Sequence, residues 1–143
     1  MKRITQITIL ILLALCLIAS TSGCSISDRR LAKKMIEKYS DNQSYIAFRG
    51  EVIELDNNRV VIKCEDLKNY ISYANDTCTY LIFADRVLDL NVGDMVDYVT
   101  VPFHFYNGHN LPIVELKRNG ETLLTFEEGR ENLLYWVNKT FNS

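Results

Sequence analysis

The sequence predicts a mainly β domain of five or six antiparallel strands, flanked by an N-terminal and a C-terminal helix. Three observations predict it. Between Tyr45 and Phe126, apolar and polar residues alternate in short runs, the two-residue period of strands with one buried face. The runs are punctuated by Asn57-Asn58, Asn107-Gly108 and Asn119-Gly120, pairs that tolerate the positive φ of a tight hairpin turn. On either side of this region the spacing changes to the 3.6-residue period of an amphipathic helix.

The first helix is predicted in "SDRRLAKKMIEKYS", with Ser27 or Asp28 placed to cap it. Leu31, Ala32, Met35, Ile36 and Tyr39 share one face, and Arg29, Arg30, Lys33, Lys34 and Lys38 lie opposite. Two readings of the basic face stand side by side. It is the solvated side of a helix packed on the domain, or it lies against anionic lipid head groups, where each charge contributes about 1 kcal/mol.

"YIAFRGEVIELDNNRVVIKCE" reads as a hairpin about Asn57-Asn58, which sets Asp56 opposite Arg59 and Ile53 opposite Ile62. Gly50, inside the long first strand, marks a bulge or sharp bend. "TCTYLIFAD" is the third strand, and the "VGD" at residues 92–94 turns the chain into the fourth. Asn107-Gly108 leads to a fifth strand in "LPIVELK", and Asn119-Gly120 to an extra strand in "ETLLTF". In the closing helix, Thr125 and Glu128 have capping-box spacing, with Leu133, Leu134, Trp136, Val137 and Phe141 on one side. A long first strand bent at Gly50, a "VGD" turn into the fourth and a hairpin into the fifth resemble the small Greek-key barrel of the OB fold. The sixth strand and the two helices depart from its minimal plan.

The chain begins with a different kind of segment. Lys2 and Arg3 precede an apolar run of 13 residues from Ile7 to Ala19, then "STSGC". That order is a secretory signal, and the run falls short of the roughly 20 residues that span a bilayer as a helix. Ser22, Gly23 and Cys24 resemble the lipobox of bacterial lipoproteins, with Thr21 where that family usually has an aliphatic residue. The resemblance implies cleavage before Cys24, acylation of its thiol, and a lipid-anchored protein facing the extracytoplasmic side of the cell membrane. The expected organisation is a signal at 1–23, the lipidated cysteine with a juxtamembrane helix at 24–44, and an OB-like barrel with its C-terminal helix at 45–143.

Losing Lys2 and Arg3 would take the basic residues from 16 to 14 against 18 acidic ones, a net charge of −4. That balance opposes nucleic-acid binding, which needs clustered Lys and Arg to neutralise phosphates. Of the remaining cysteines, Cys64 and Cys78 form either a disulfide, which outside the cytosol would be worth about 3 kcal/mol for so short a loop, or a pair of buried thiols.

The most suggestive stretch is "VPFHFYNGHNLP". A two-residue turn at Asn107-Gly108 would put His104, Tyr106, His109 and Leu111 on one face and Phe103 and Phe105 on the other. His104, Phe105, Tyr106 and His109 are therefore candidate ligand contacts. The two histidines lack a third ligand at zinc-site spacing, so no metal or other cofactor is expected. Asp85, Asp89, Asp94 and Asp97 do not form a calcium loop, and no nucleophile elbow or phosphate loop occurs. The expectation is a non-catalytic binding module at the cell envelope, with an envelope protein or glycan as partner. The alternatives are a small hydrolase using the His104/His109 face and an OB-type oligosaccharide or nucleic-acid binder.

Overall fold

The computed structural model describes residues 28–70, 76–102 and 110–141. Its strands are β1 (Ile46–Asp56), β2 (Arg59–Lys63), β3 (Thr77–Ile82), β4 (Met95–Thr100), β5 (Asn110–Arg118) and β6 (Glu121–Leu124). Hydrogen-bonded neighbours run β3-β2-β1-β4-β5-β6, and β3 also pairs with β5. That additional, parallel pairing closes β1 to β5 into a barrel and leaves β6 as an extra strand on β5. Residues 28–40 form helix α1, and α2 runs Phe126–Phe141. The architecture is the small OB-like barrel with two flanking helices that the pattern predicts. Among the described residues no helix is long and apolar enough to cross a membrane.

Local chemistry accounts for the turns. Asn57 has φ 52°, and at the β5–β6 turn both Asn119 (51°) and Gly120 (83°) are positive, as a type I′ hairpin requires. Asp56 faces Arg59 as expected, but Ile62 faces Val52 and not Ile53. The cause is a bulge between Val52 and Glu54. Phe48, Gly50 and Val52 point inward at even positions, whereas Leu55 turns inward at an odd one. One extra residue, Ile53, lets the strand change parity without burying Glu54.

The core has two parts. Inside the barrel, Val52, Val60, Ile62, Tyr80, Val96, Tyr98, Leu111, Ile113 and Leu116 are all but sealed from solvent. Outside it, Met35 and Tyr39 of α1 and Leu133 and Val137 of α2 pack with Val101 and Val114 of the barrel wall. Fully burying each such apolar side chain is worth about 1.5–3 kcal/mol. Strand β5 is covered on both faces, which is why its sequence contains the unbroken run "LPIV". The apolar side of α1 is therefore a docking face, and Arg29, Arg30, Lys33, Lys34 and Lys38 remain exposed.

The helix ends are tied down. Arg130 of α2 donates from Nε to the Tyr39 carbonyl (3.3 Å) and from a terminal nitrogen to that of Ser40 (3.0 Å). The Tyr45 hydroxyl donates to the same Tyr39 carbonyl at 2.6 Å, so the last carbonyls of α1 are satisfied from outside the helix. At the start of α2, the Glu128 amide donates to Thr125 Oγ1 at 3.3 Å. Only this half of the expected capping box forms, because the Glu128 carboxylate is taken by Arg86. Arg86 also donates to the Leu123 carbonyl of β6 (3.0 Å), which occupies part of that strand's outer edge.

Candidate functional site

The barrel contains a mismatch of strand lengths. β1 has 11 residues and β2 only 5. On one edge of β1, strand β4 pairs with residues from Ile46 to Glu51; on the other, β2 pairs only from Glu51 to Asp56. Among the described residues, the N-terminal half of β1 thus has a strand on one side alone. After β2 the chain passes Cys64 into a 3-10 turn, Glu65–Asn69, and a groove of about 560 Å³ opens there. Ala47, Phe48 and Arg49 of β1 and Asp97 of β4 line it with Asp66, Asn69 and Tyr70.

Its chemistry is mixed. Tyr70 is 57% exposed and meets Phe48 edge to face, with centroids 5.2 Å apart. Phe48 in turn lies against Tyr98 in the core, so the aromatic wall of the groove is anchored in the barrel interior. Arg49 Nε lies 3.9 Å from an Asp97 carboxylate oxygen, with both side chains more than half exposed. Such a pair is worth little in water and opens at small cost. An aromatic face, two carboxylates, an amide and a guanidinium around one groove can stack on a ligand and hydrogen-bond to it.

None of these groove residues stood among the sequence candidates. The signal that could have found them is the hairpin register itself, which brings β2 alongside only half of a strand as long as β1. The sequence candidates His104, Phe105, Tyr106 and His109 lie outside the described residues, as does Cys24. The described residues that flank their hairpin have a register of their own. A two-residue turn at Asn107-Gly108 would set Thr100 opposite Glu115, but Thr100 stands opposite Ile113 after a register shift. Leu111, expected on the histidine face, is fully buried and pairs with Tyr80 of β3. Strand β5 pairs with β4 along one edge and with β3 along the other, and this closure encloses Leu111.

The four aspartates pair with three different arginines. Arg118 donates to the Asp89 carbonyl (2.7 Å), the Asp89 carboxylate (3.0 Å) and the Asp94 carboxylate (3.2 Å), pinning the chain before β4. Asp85 sits beside Arg86, and Asp97 beside Arg49. Among the described residues no three or more His, Cys, Asp or Glu side chains gather as a metal site. Cys64 and Cys78 are both buried and are not joined in a disulfide. Cys78 is opposite Ile62, whereas the Cys64 amide donates to the Asp76 carbonyl, so the two cysteines are diagonal neighbours. Burial pushes the Cys78 thiol up from its ordinary pKa, which makes it a poor nucleophile.

Four tyrosines carry a pH signature. The Tyr80 and Tyr98 hydroxyls share a 2.9 Å hydrogen bond inside the barrel, and burial drives both phenols far above their ordinary pKa. Burial likewise raises Tyr39, and raises Tyr45 to about 12 against the opposing pull of the Arg130 charge. Native pKa values above unfolded ones mean stability that is complete below about pH 10 and lost as the pH climbs through the native values. The expected result of an alkaline titration is that phenolate absorbance from these four residues and loss of near-ultraviolet circular dichroism appear together, above pH 10. Ionisation of all four with native dichroism intact would contradict the packing described.

No protein-family model matches this chain, and no curated protein matches it. Among solved structures it is similar to the copper(II) form of a CusF variant from Escherichia coli, at 17% identity over 55% of this chain and 96% of that one, with a TM-score of 0.38.

Proposed function

We propose that this protein is an extracytoplasmic lipoprotein, held by acyl chains on Cys24, whose barrel binds a ligand of the cell envelope without transforming it. The observation that carries the binding reading is the groove beside β1, where Tyr70 and Phe48 give an aromatic wall and Arg49, Asp66, Asn69 and Asp97 a polar rim. The anchor reading rests on the order of basic head, apolar run and small residues before Cys24. Only three residues lie between Cys24 and Asp28, so their Cα atoms are at most roughly 14 Å apart, and acylation would hold α1 at the bilayer. Arg29, Arg30, Lys33, Lys34 and Lys38 are exposed there to meet anionic head groups.

Mass spectrometry of the native product tests the anchor: the expected species begins at an acylated Cys24. A product that keeps Met1, or a mature start without acyl mass, would end that reading. Crosslinking in intact cells tests the groove. Tyr70→Ala should lose a partner captured by the wild type, with an unchanged melting temperature because the ring is more than half exposed; full retention of the partner would move the site elsewhere.

A further inference from the structure

The backbone of β1 says more about the groove than its side chains do. Val52 accepts from the Gly93 amide (2.7 Å) and donates to the Asp94 carbonyl (2.9 Å), so both of its backbone groups point toward the β4 edge. In an antiparallel ladder this direction alternates with each residue. Gly50 and Phe48, opposite Val96 and Tyr98, therefore also turn their amides and carbonyls to β4. Glu51, Arg49 and Ala47 turn theirs the other way. There Glu51 meets Lys63 of β2, but among the described residues nothing hydrogen-bonds to the backbone of Arg49 or Ala47 on that side. Both residues are exposed, and both line the groove.

A short row of two donors and two acceptors, unpaired among the described residues and facing a groove, has the form of a strand-addition site. We infer that this edge takes an extended segment of another protein as an added strand, bonded to the backbone of Ala47 and Arg49. Side chains of the groove set the preference. Asp66 and Asp97 outnumber Arg49, so the complementary segment carries a basic residue; Tyr70 and Phe48 favour an apolar or aromatic one beside it. The inference rests on the reading of the barrel as a binding module and narrows its ligand to a polypeptide.

The test uses the full-length acylated protein in detergent micelles and a phage-displayed library of random linear peptides. In the free protein, amide hydrogen exchange should be fast at Ala47 and Arg49 and slow at Phe48 and Gly50, which are bonded to β4. A selected peptide should slow exchange at Ala47 and Arg49 by about tenfold or more, the scale of one added backbone bond. Ala47→Pro removes a donor that faces away from β4, and proline is tolerated on such an edge. It should weaken peptide binding roughly tenfold, whereas Ala47→Val should not. If Ala47→Pro does not fold, peptides N-methylated at alternate residues probe the same bonds from the ligand side, with loss of binding expected for one alternation only.

Slow exchange at Ala47 and Arg49 in the free protein would overturn the inference, as would peptides that bind equally well to Ala47→Pro. Protection that grows with protein concentration would make the occupant a second copy of this chain and overturn the choice of partner. A library without binders, alongside an oligosaccharide or small molecule that perturbs Tyr70, would end the strand reading and leave the binding module standing.

Discussion

Gly129→Ala should lower the stability of the domain by about 2 kcal/mol, although alanine is the better helix former. A Cβ built at Gly129 would lie 2.7 Å from the Cα and carbonyl carbon of Val114, and closer still to its oxygen. These are backbone atoms of β5, buried on both faces, and cannot rotate aside as a flexible side chain would. Helix α2 must move outward, which loosens the contact of Leu133 and Val137 with Met35, Tyr39 and Val114. Overpacking of this severity costs about 3 kcal/mol, offset by about 1 kcal/mol of helix propensity. In thermal unfolding the result should be a fall of roughly 8 °C. Glu131→Ala, on the exposed side of the same helix, gains the propensity without the clash and should stay within about 0.5 kcal/mol of wild type. An unchanged or higher melting point for Gly129→Ala would mean that α2 does not sit this close to β5.

Gly50→Ala should cost about 1–3 kcal/mol for the related reason that β1 bends hard against β2. A Cβ there would stand 2.5 Å from Ile62 Cγ2 and 2.5 Å from the Lys63 carbonyl oxygen, with Cys64 Cβ at 3.3 Å. Ile62 is fully buried and has nowhere to turn. Because two neighbours are involved, the clash should be partly relieved by shortening one of them. Ile62→Ala alone should cost about 2–5 kcal/mol. The Gly50→Ala, Ile62→Ala double variant should be less destabilised than the sum of the two by more than about 0.5 kcal/mol, as expected for residues in contact. Strict additivity in urea unfolding would show that the two positions do not touch.

Each of these glycines shows a limit of sequence reading. Gly50 stands out in the sequence as a bend, because a glycine inside a run of "FRGEVIEL" has no local reason to be there. What it approaches is another matter, since Ile62 and Lys63 come near only once the hairpin has bulged at Ile53. Even that bulge leaves a trace, the adjacent apolar pair Val52-Ile53 in a stretch that otherwise alternates from Phe48 onward. Gly129 leaves no trace of its purpose: within "FEEGREN" it reads only as a weak helix position.

The sequence by itself determined the secondary elements, their order, the two turns at Asn57-Asn58 and Asn119-Gly120, and the apolar faces of both helices. These are matters of hydrophobic period and backbone freedom, and they act over a few residues. Tertiary structure alone decided that β5, paired with β4 along one edge, also pairs with β3 along the other and so closes the barrel. It decided also that β1 outruns β2, so that Ala47 and Arg49 come to face Asp66, Asn69 and Tyr70 across an open groove. Both outcomes come from pairing between segments distant along the chain. Every local pattern is compatible with several such pairings, and the closing of one shared core selects among them.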